Sequence, residues 1–161
     1  MTHSLELKIP PAIVFIVALI AIWLISQLDY PSIWWVLQLA GLLVIAAGVL
    51  VIIAASLQFR RHRTTLDPRV PDKATALLTR GIFAYSRNPI YLAFVLIALG
   101  FALSLQSVAA LIVPPILILY LQRFQIRPEE KHLAHKFKEQ YKSYCQRTRR
   151  WLGHKFTDDA R

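Results

Sequence analysis

The chain has 161 residues, 56% of them hydrophobic, with a net charge of +10 and a mean hydropathy of +0.46. That apolar share exceeds the ~45–50% of an average soluble domain, yet 19 Lys and Arg stand against 9 Asp and Glu. The combination argues against a cytosolic globule, a disordered tail and a fibrous repeat, and the single cysteine excludes an intramolecular disulfide framework and a multi-cysteine zinc site.

Apolar and charged residues are segregated along the chain. No charge falls between Ile9 and Leu28, between Tyr30 and Phe59, or between Asn88 and Gln122. A bilayer core of about 30 Å is crossed by about 20 helical residues, so transmembrane helices are predicted over 9–28 and 32–58. The first is not read as a cleaved leader, because Met1 to Lys8 is nearly neutral and no small-residue cleavage pattern follows Trp23 to Gln27. The second carries Trp34 and Trp35 at its outer end, where an aromatic belt belongs. Its Gly41, Ala46, Ala47, Gly48, Ala54 and Ala55 permit close approach of another helix. Neither helix offers an acid–base group, and both are predicted to be scaffold and lateral wall.

Residues 59–88 form a basic loop broken by Pro68 and Pro71. Leu77, Leu78, Gly81 and Phe83 follow, with Gly81 marking a turn where backbone can approach a ligand closely. Arg87 and Asn88 then precede Pro89, a residue suited to the first turn of a helix. The start of that helix, with Ile90 and Tyr91 in its first turn, offers unpaired N–H groups to an anion. The same residues also suit a plain helix cap with Arg87 as an interface anchor, and the sequence leaves both readings open.

The apolar run 89–122 is too long for one helix, and Ser104-Leu105-Gln106-Ser107 interrupts it. It is predicted to be a helical hairpin whose arms are short for full spans. An amphipathic helix over 128–152 comes next, with Leu133, Phe137, Tyr141, Tyr144 and Thr148 recurring every three to four residues. Its start, Pro128-Glu129-Glu130, places acids in the first turn. These acids either complement the helix dipole and nearby Arg127 and Lys131, or grip a cationic or hydroxyl-bearing ligand.

The two basic segments, 60–87 and 123–161, are placed in the cytoplasm by the positive-inside rule, and the N-terminus with them. This predicts an all-α polytopic integral membrane protein. It has about four transmembrane helices, two plus the hairpin, and a cytoplasmic amphipathic helix, all in a single domain over 1–161. The basic segments flank membrane helices and carry no nucleic-acid motif, so lipid head groups rather than nucleic acid are their expected partners. His62, His132, His135 and Cys145 show no spacing that predicts a metal site or a nucleophile.

Two separated motifs carry a resemblance. The first runs Leu77-Leu78-Thr79-x-Gly81-x-Phe83, then Ser86-Arg87-Asn88-Pro89-Ile90-Tyr91-Leu92. The second, after the hairpin, runs Glu129-Glu130-x-x-Leu133-x-x-x-Phe137-x-x-x-Tyr141-x-x-Tyr144, then Arg149-Arg150-Trp151. Together they resemble the isoprenylcysteine carboxyl methyltransferases and the related phospholipid N-methyltransferases, in a short prokaryotic form. The resemblance implies an integral-membrane methyltransferase using S-adenosyl-L-methionine, with its cofactor pocket on the cytoplasmic side; with the orientation read from charge, the expected location is a prokaryotic inner membrane with both termini cytoplasmic. It implies that Leu77, Leu78 and Phe83 line the nucleoside part, and that Asn88, Pro89, Ile90 and Tyr91 hold the cofactor at the helix start. Glu129 would contact the cofactor or support the reacting centre. Asn88 stands where the eukaryotic enzymes carry His, and Phe83 where they carry Tyr. Gln125 stands where prenylcysteine enzymes carry a substrate-contacting Arg, a role for which Arg123 and Arg127 are nearby.

Chemistry agrees with this set of residues. A helix start with Arg87 suits the carboxylate of the cofactor. Glu129, with Glu130 beside it, suits its ammonium or ribose hydroxyls, and aromatic faces suit adenine or a sulfonium. The expected catalytic residues are Glu129 and Arg127, and the acceptor is a lipophilic or small carboxylate, amine or thiol. Two rivals are an NADPH-dependent membrane reductase of the sterol type and a non-catalytic membrane scaffold. The short chain leaves little room for the reductase's extra helices, and the intact motifs argue against a decayed scaffold.

Overall fold

The computed structural model describes residues 7–29, 34–61 and 76–154. Its helices are α1 (Pro11–Ser26), α2 (Trp35–Arg61), α3 (Pro89–Ser104), α4 (Val113–Leu121) and α5 (Arg127–Arg147). Short 3-10 turns cover Gly81–Ala84 and Ala109–Ile112, and a π-helical turn, Gln122–Ile126, joins α4 to α5. No strand occurs among the described residues, although Thr148 and His154 form an isolated antiparallel bridge. Ser32 at the predicted start of the second helix, His62, the breakers Pro68 and Pro71, and the tail after His154 lie outside the described residues.

Two helical runs, Trp35–Arg61 and Ala109–Arg147, are long and apolar enough to cross a membrane. The apolar α1 and α3 have 16 residues each, about 24 Å at a rise of about 1.5 Å per residue. Along α2, Leu43 is 62% and Leu50 65% exposed, and Trp34 and Trp35 stand fully outward at its beginning. Contiguous apolar surface on this scale is foreign to a water-soluble monomer and fits a hydrocarbon solvent.

Small residues bring α2 onto α3. Gly41, Gly48 and Ala55 recur every seventh residue and are the buried positions of α2. A Cβ on Gly41 would lie 2.4 Å from the Ser104 nitrogen, and one on Gly100 would lie 2.6 Å from the Gly41 oxygen. The two backbones therefore touch, as membrane helices do where small residues meet. Ala46 and Ala47, also predicted as contact residues, face outward instead.

At one end of the bundle the helix connections hold each other. Gln106, in left-handed backbone at φ 57°, accepts the Trp34 N–H on its Oε1 at 2.9 Å. Asp29 accepts the Ala109 N–H at 3.3 Å, and Ser107 Oγ accepts the Ala110 N–H at 3.0 Å. The predicted Ser104–Ser107 turn is thus real, and its polar side chains satisfy helix ends that would otherwise lack partners.

The predicted break between hairpin and amphipathic helix is absent. Helical turns run on from Ala109 through the junction at Arg127 into α5, and the backbone leaves helical geometry only further on, at Lys138 (φ 42°, ψ −117°). Pro128 sits inside this run, where a proline has no N–H for the carbonyl of residue i−4 and crowds it. The π turn absorbs the mismatch, and the Phe124 carbonyl accepts the Leu7 N–H instead, at 3.1 Å. Next to it, the Gln125 side-chain amide donates to the Ile9 carbonyl at 2.8 Å. Both bonds tie the segment before α1 to the π turn.

The helix also ends earlier than predicted, at Arg147 rather than at residue 152. Thr148 turns to extended backbone (φ −122°, ψ 135°), freeing residues 149–153 to pair elsewhere. The predicted inner face is correct: Tyr141, Tyr144 and Thr148 are buried, and Leu133 and Phe137 are half-buried against the cluster that Tyr141 and Tyr144 form with Ala55, Leu78 and Phe83.

Candidate functional site

Gly81 starts the site. Its φ of +61° favours glycine, and a Cβ there would lie 2.3 Å from the Gln58 side-chain nitrogen. The turn it opens lies against the end of α2, with Phe83 buried edge-on to Phe59 at 5.4 Å between ring centroids. Tyr144 O–H donates to the Phe83 carbonyl at 2.6 Å, and Thr148 Oγ1 to the Ala84 carbonyl at 3.2 Å. Burial holds the Tyr144 phenol above its ordinary range, so it remains a donor.

Residues 85–88 then run beside the turn that follows α5. Arg87 N–H donates to the Arg149 carbonyl at 3.1 Å, and Gly153 N–H to the Tyr85 carbonyl at 2.8 Å. The Asn88 side-chain amide donates to the Arg150 carbonyl at 3.1 Å, and its backbone N–H to the buried Ser86 Oγ at 3.1 Å. These bonds fix Asn88 in the non-helical backbone from which Pro89 starts α3.

A cavity of about 330 Å³ opens at this helix start, within the ~300–1,000 Å³ of small-molecule sites. One side is Arg87, Asn88, Pro89, Ile90 and Tyr91, followed one turn on by Phe94. The opposite walls are Pro10, Pro11 and Ala12 before and within α1, Ser56 and Phe59 of α2, Phe83, and Glu129 of α5. Phe15 stacks on Phe94 at 4.5 Å, tying α1 to α3 beside the cavity.

Tyr91 O–H donates to Glu129 Oε2 at 3.0 Å. Glu129 lies beyond the apolar stretch of its helix, which ends at Gln122. Burial raises its carboxyl to about 7; the Tyr91 hydrogen bond opposes that rise and neighbouring Glu130 adds to it. Glu130 points elsewhere, into a partly buried ionic triad. It takes Arg87 Nη2 at 2.9 Å, and Arg150 through Nη2 at 2.6 Å and Nε at 3.1 Å. Arg87 Nη1 also meets Cys145 Sγ, while the buried Arg87 Nε has no partner among the described residues.

Of the residues singled out from sequence, the cavity brings together Phe83, Arg87, Asn88, Pro89, Ile90, Tyr91 and Glu129. Four lie elsewhere. Leu78 is buried under the turn beside Tyr141 and Tyr144, and Leu77 lines a separate cleft with Glu139 and Arg147. Glu130 belongs to the triad. Arg127 is exposed and absent from the cavity wall, because two helical steps turn it about 200° away from Glu129. Gln125 is buried, and its side-chain amide nitrogen donates to the Ile9 carbonyl. Sequence reasoning missed Pro10, Pro11, Ala12, Ser56, Phe59 and Phe94 as wall residues. Arg150 was visible only as part of the Arg149-Arg150-Trp151 motif. Among the described residues no group of three His, Cys, Asp or Glu gathers as a metal site requires.

Residues 36–140, most of the chain and all but one wall of this cavity, match the phospholipid methyltransferase family. The chain belongs to the phospholipid methyltransferase family. An uncharacterized protein of Haemophilus influenzae is 42% identical over 62 residues, which make up 38% of this chain and 98% of that protein. No solved structure matches. Membership in the phospholipid methyltransferase family carries methyl transfer as the general activity. It also accords with the helices long and apolar enough to cross a membrane.

Proposed function

We propose that this phospholipid methyltransferase family member takes its methyl group from S-adenosyl-L-methionine and passes it in line to a lipophilic or small carboxylate, amine or thiol at the membrane. One observation carries the reading: a Tyr91–Glu129 pair and Arg87 share an aromatic-walled cavity at the start of α3. The donor set fits the cofactor. Arg87, with its unpartnered Nε, and the N–H groups of the first turn of α3 would face a carboxylate. Glu129 would face an ammonium or ribose hydroxyls, and Phe83 and Tyr91 offer faces to adenine or a sulfonium.

The cofactor supplies a methyl group already activated for transfer. The chain's own residues therefore align and desolvate. Tyr91 fixes the Glu129 carboxylate, the Arg150 and Arg149 carbonyls fix Asn88 and Arg87, and Pro10, Pro11, Phe59 and Phe94 exclude water. The mostly apolar walls that α1 and α2 contribute support an acceptor arriving from the membrane. The basic segments support a cytoplasmic cofactor side, with both termini on it, in a prokaryotic inner membrane.

Calorimetric titration of detergent-solubilised protein with S-adenosylhomocysteine, against NADPH as control, tests the reading. Saturable binding of S-adenosylhomocysteine alone is expected, and Glu129→Gln should weaken it about tenfold, the scale of one charge-assisted hydrogen bond. Binding of NADPH alone, or of neither ligand by folded protein, would overturn it.

A further inference from the structure

The Arg87–Glu130–Arg150 triad contains one more cation than anion, and only Arg87 of the three lines the cavity. A lone Arg87–Glu130 pair would be neutral. Its carboxylate would be free to take the guanidinium in the two-pronged geometry that arginine and carboxylate prefer. Here that geometry is taken by Arg150, whose Nε and Nη2 make three contacts with the two Glu130 oxygens. Glu130 is left with a single contact to Arg87, through Nη2. The Arg87 Nε stays buried and without a partner among the described residues, a position that is costly unless a ligand atom completes it. Arg150 itself is one-third exposed at its side chain and does not reach the cavity. Its backbone carbonyl separately holds Asn88, so changing the side chain leaves that bond in place.

We infer that Arg150 is a positioning residue: by occupying Glu130 it leaves the triad a net positive charge and the Arg87 Nε donor available for the carboxylate of the bound cofactor. This rests on the reading of the cavity as an S-adenosyl-L-methionine site. Its signature is selectivity for an anion, which a merely structural arginine would not confer.

The test compares two ligands that share the adenosine and thioether but differ in the amino-acid carboxylate: S-adenosylhomocysteine and methylthioadenosine. Both are titrated calorimetrically into full-length wild-type protein and Arg150→Gln. The variant is expected to lose about tenfold for S-adenosylhomocysteine and less than about twofold for methylthioadenosine. Equal loss on both ligands, or loss on neither, would overturn the role. Should Arg150→Gln fail to fold, Arg150→Lys is measured the same way. It keeps the charge but not the fork, and a selective loss of a few fold is expected; equal loss or none again overturns the role. Wild-type protein that binds neither ligand removes the cofactor reading itself, and this inference with it, a result distinct from an unselective Arg150 variant.

Discussion

Glu129 sits where its protonation is felt twice. Its carboxyl stands at about 7 in the folded protein against an ordinary 4.5, raised by burial. The folded state therefore favours the protonated form. The stabilisation this gives is complete below about 4.5 and is lost as pH rises through about 7, so ligand-free protein should melt at a higher temperature at pH 5 than at pH 8. Binding runs the other way, because an ammonium pairs with the carboxylate. S-adenosylhomocysteine should bind about tenfold more weakly at pH 6, where about a tenth of Glu129 is ionised, than at pH 8. Glu129→Gln should flatten both profiles, measured by thermal melting and by calorimetry across pH. Most of this site was legible beforehand, because Arg87 to Tyr91 are consecutive and Glu129 opens a recognisable acidic pair. Arg127 misled, since it is adjacent in sequence but opposite on the helix. Arg150 was hidden because a helix was predicted through it; only the extended backbone from Thr148 turns it back onto Glu130.

Among the elements, the α2–α3 contact is the most exposed to substitution. Gly41→Leu would place a side chain against the Ser104 nitrogen and the Gly100 oxygen, backbone atoms that cannot rotate aside. Overpacking of this kind costs about 1–3 kcal/mol or more, so the variant should melt well below wild type in detergent. Ala46→Leu, on the outward face, should melt within a degree or two of it. Sequence composition marked both residues alike as small; only the seven-residue spacing of Gly41, Gly48 and Ala55 separates the buried face. The α4–α5 junction was misread for a related reason. Pro128 followed by two acids has the same local sequence whether it begins a helix or interrupts one, and the deciding partner, Leu7, is far away in the chain.

At the scale of the whole molecule, the segregation of charge from apolar runs made the all-helical architecture readable, while helix ends and partners depended on packing. The orientation proposed for the membrane makes a prediction of its own. Single cysteines introduced at Arg60 and at His154, in a Cys145→Ser background, should both react with a membrane-impermeant thiol reagent from the cytoplasmic side, and one at Asp29 only from the other. Labelling of Asp29 from the cytoplasm would invert the arrangement. The bond from Gln125 to Ile9 also spans a sequence separation of 116 residues. Contacts so distant form late, because the intervening loop must close first. During synthesis α1 has emerged long before its anchor exists, so Pro10 and Pro11 can reach their places on the cavity only after the π turn holding Phe124 and Gln125 has been made. A truncated chain lacking that turn would retain membrane-seeking helices without ever completing the cavity, which makes the π turn the element on which assembly of the cavity waits.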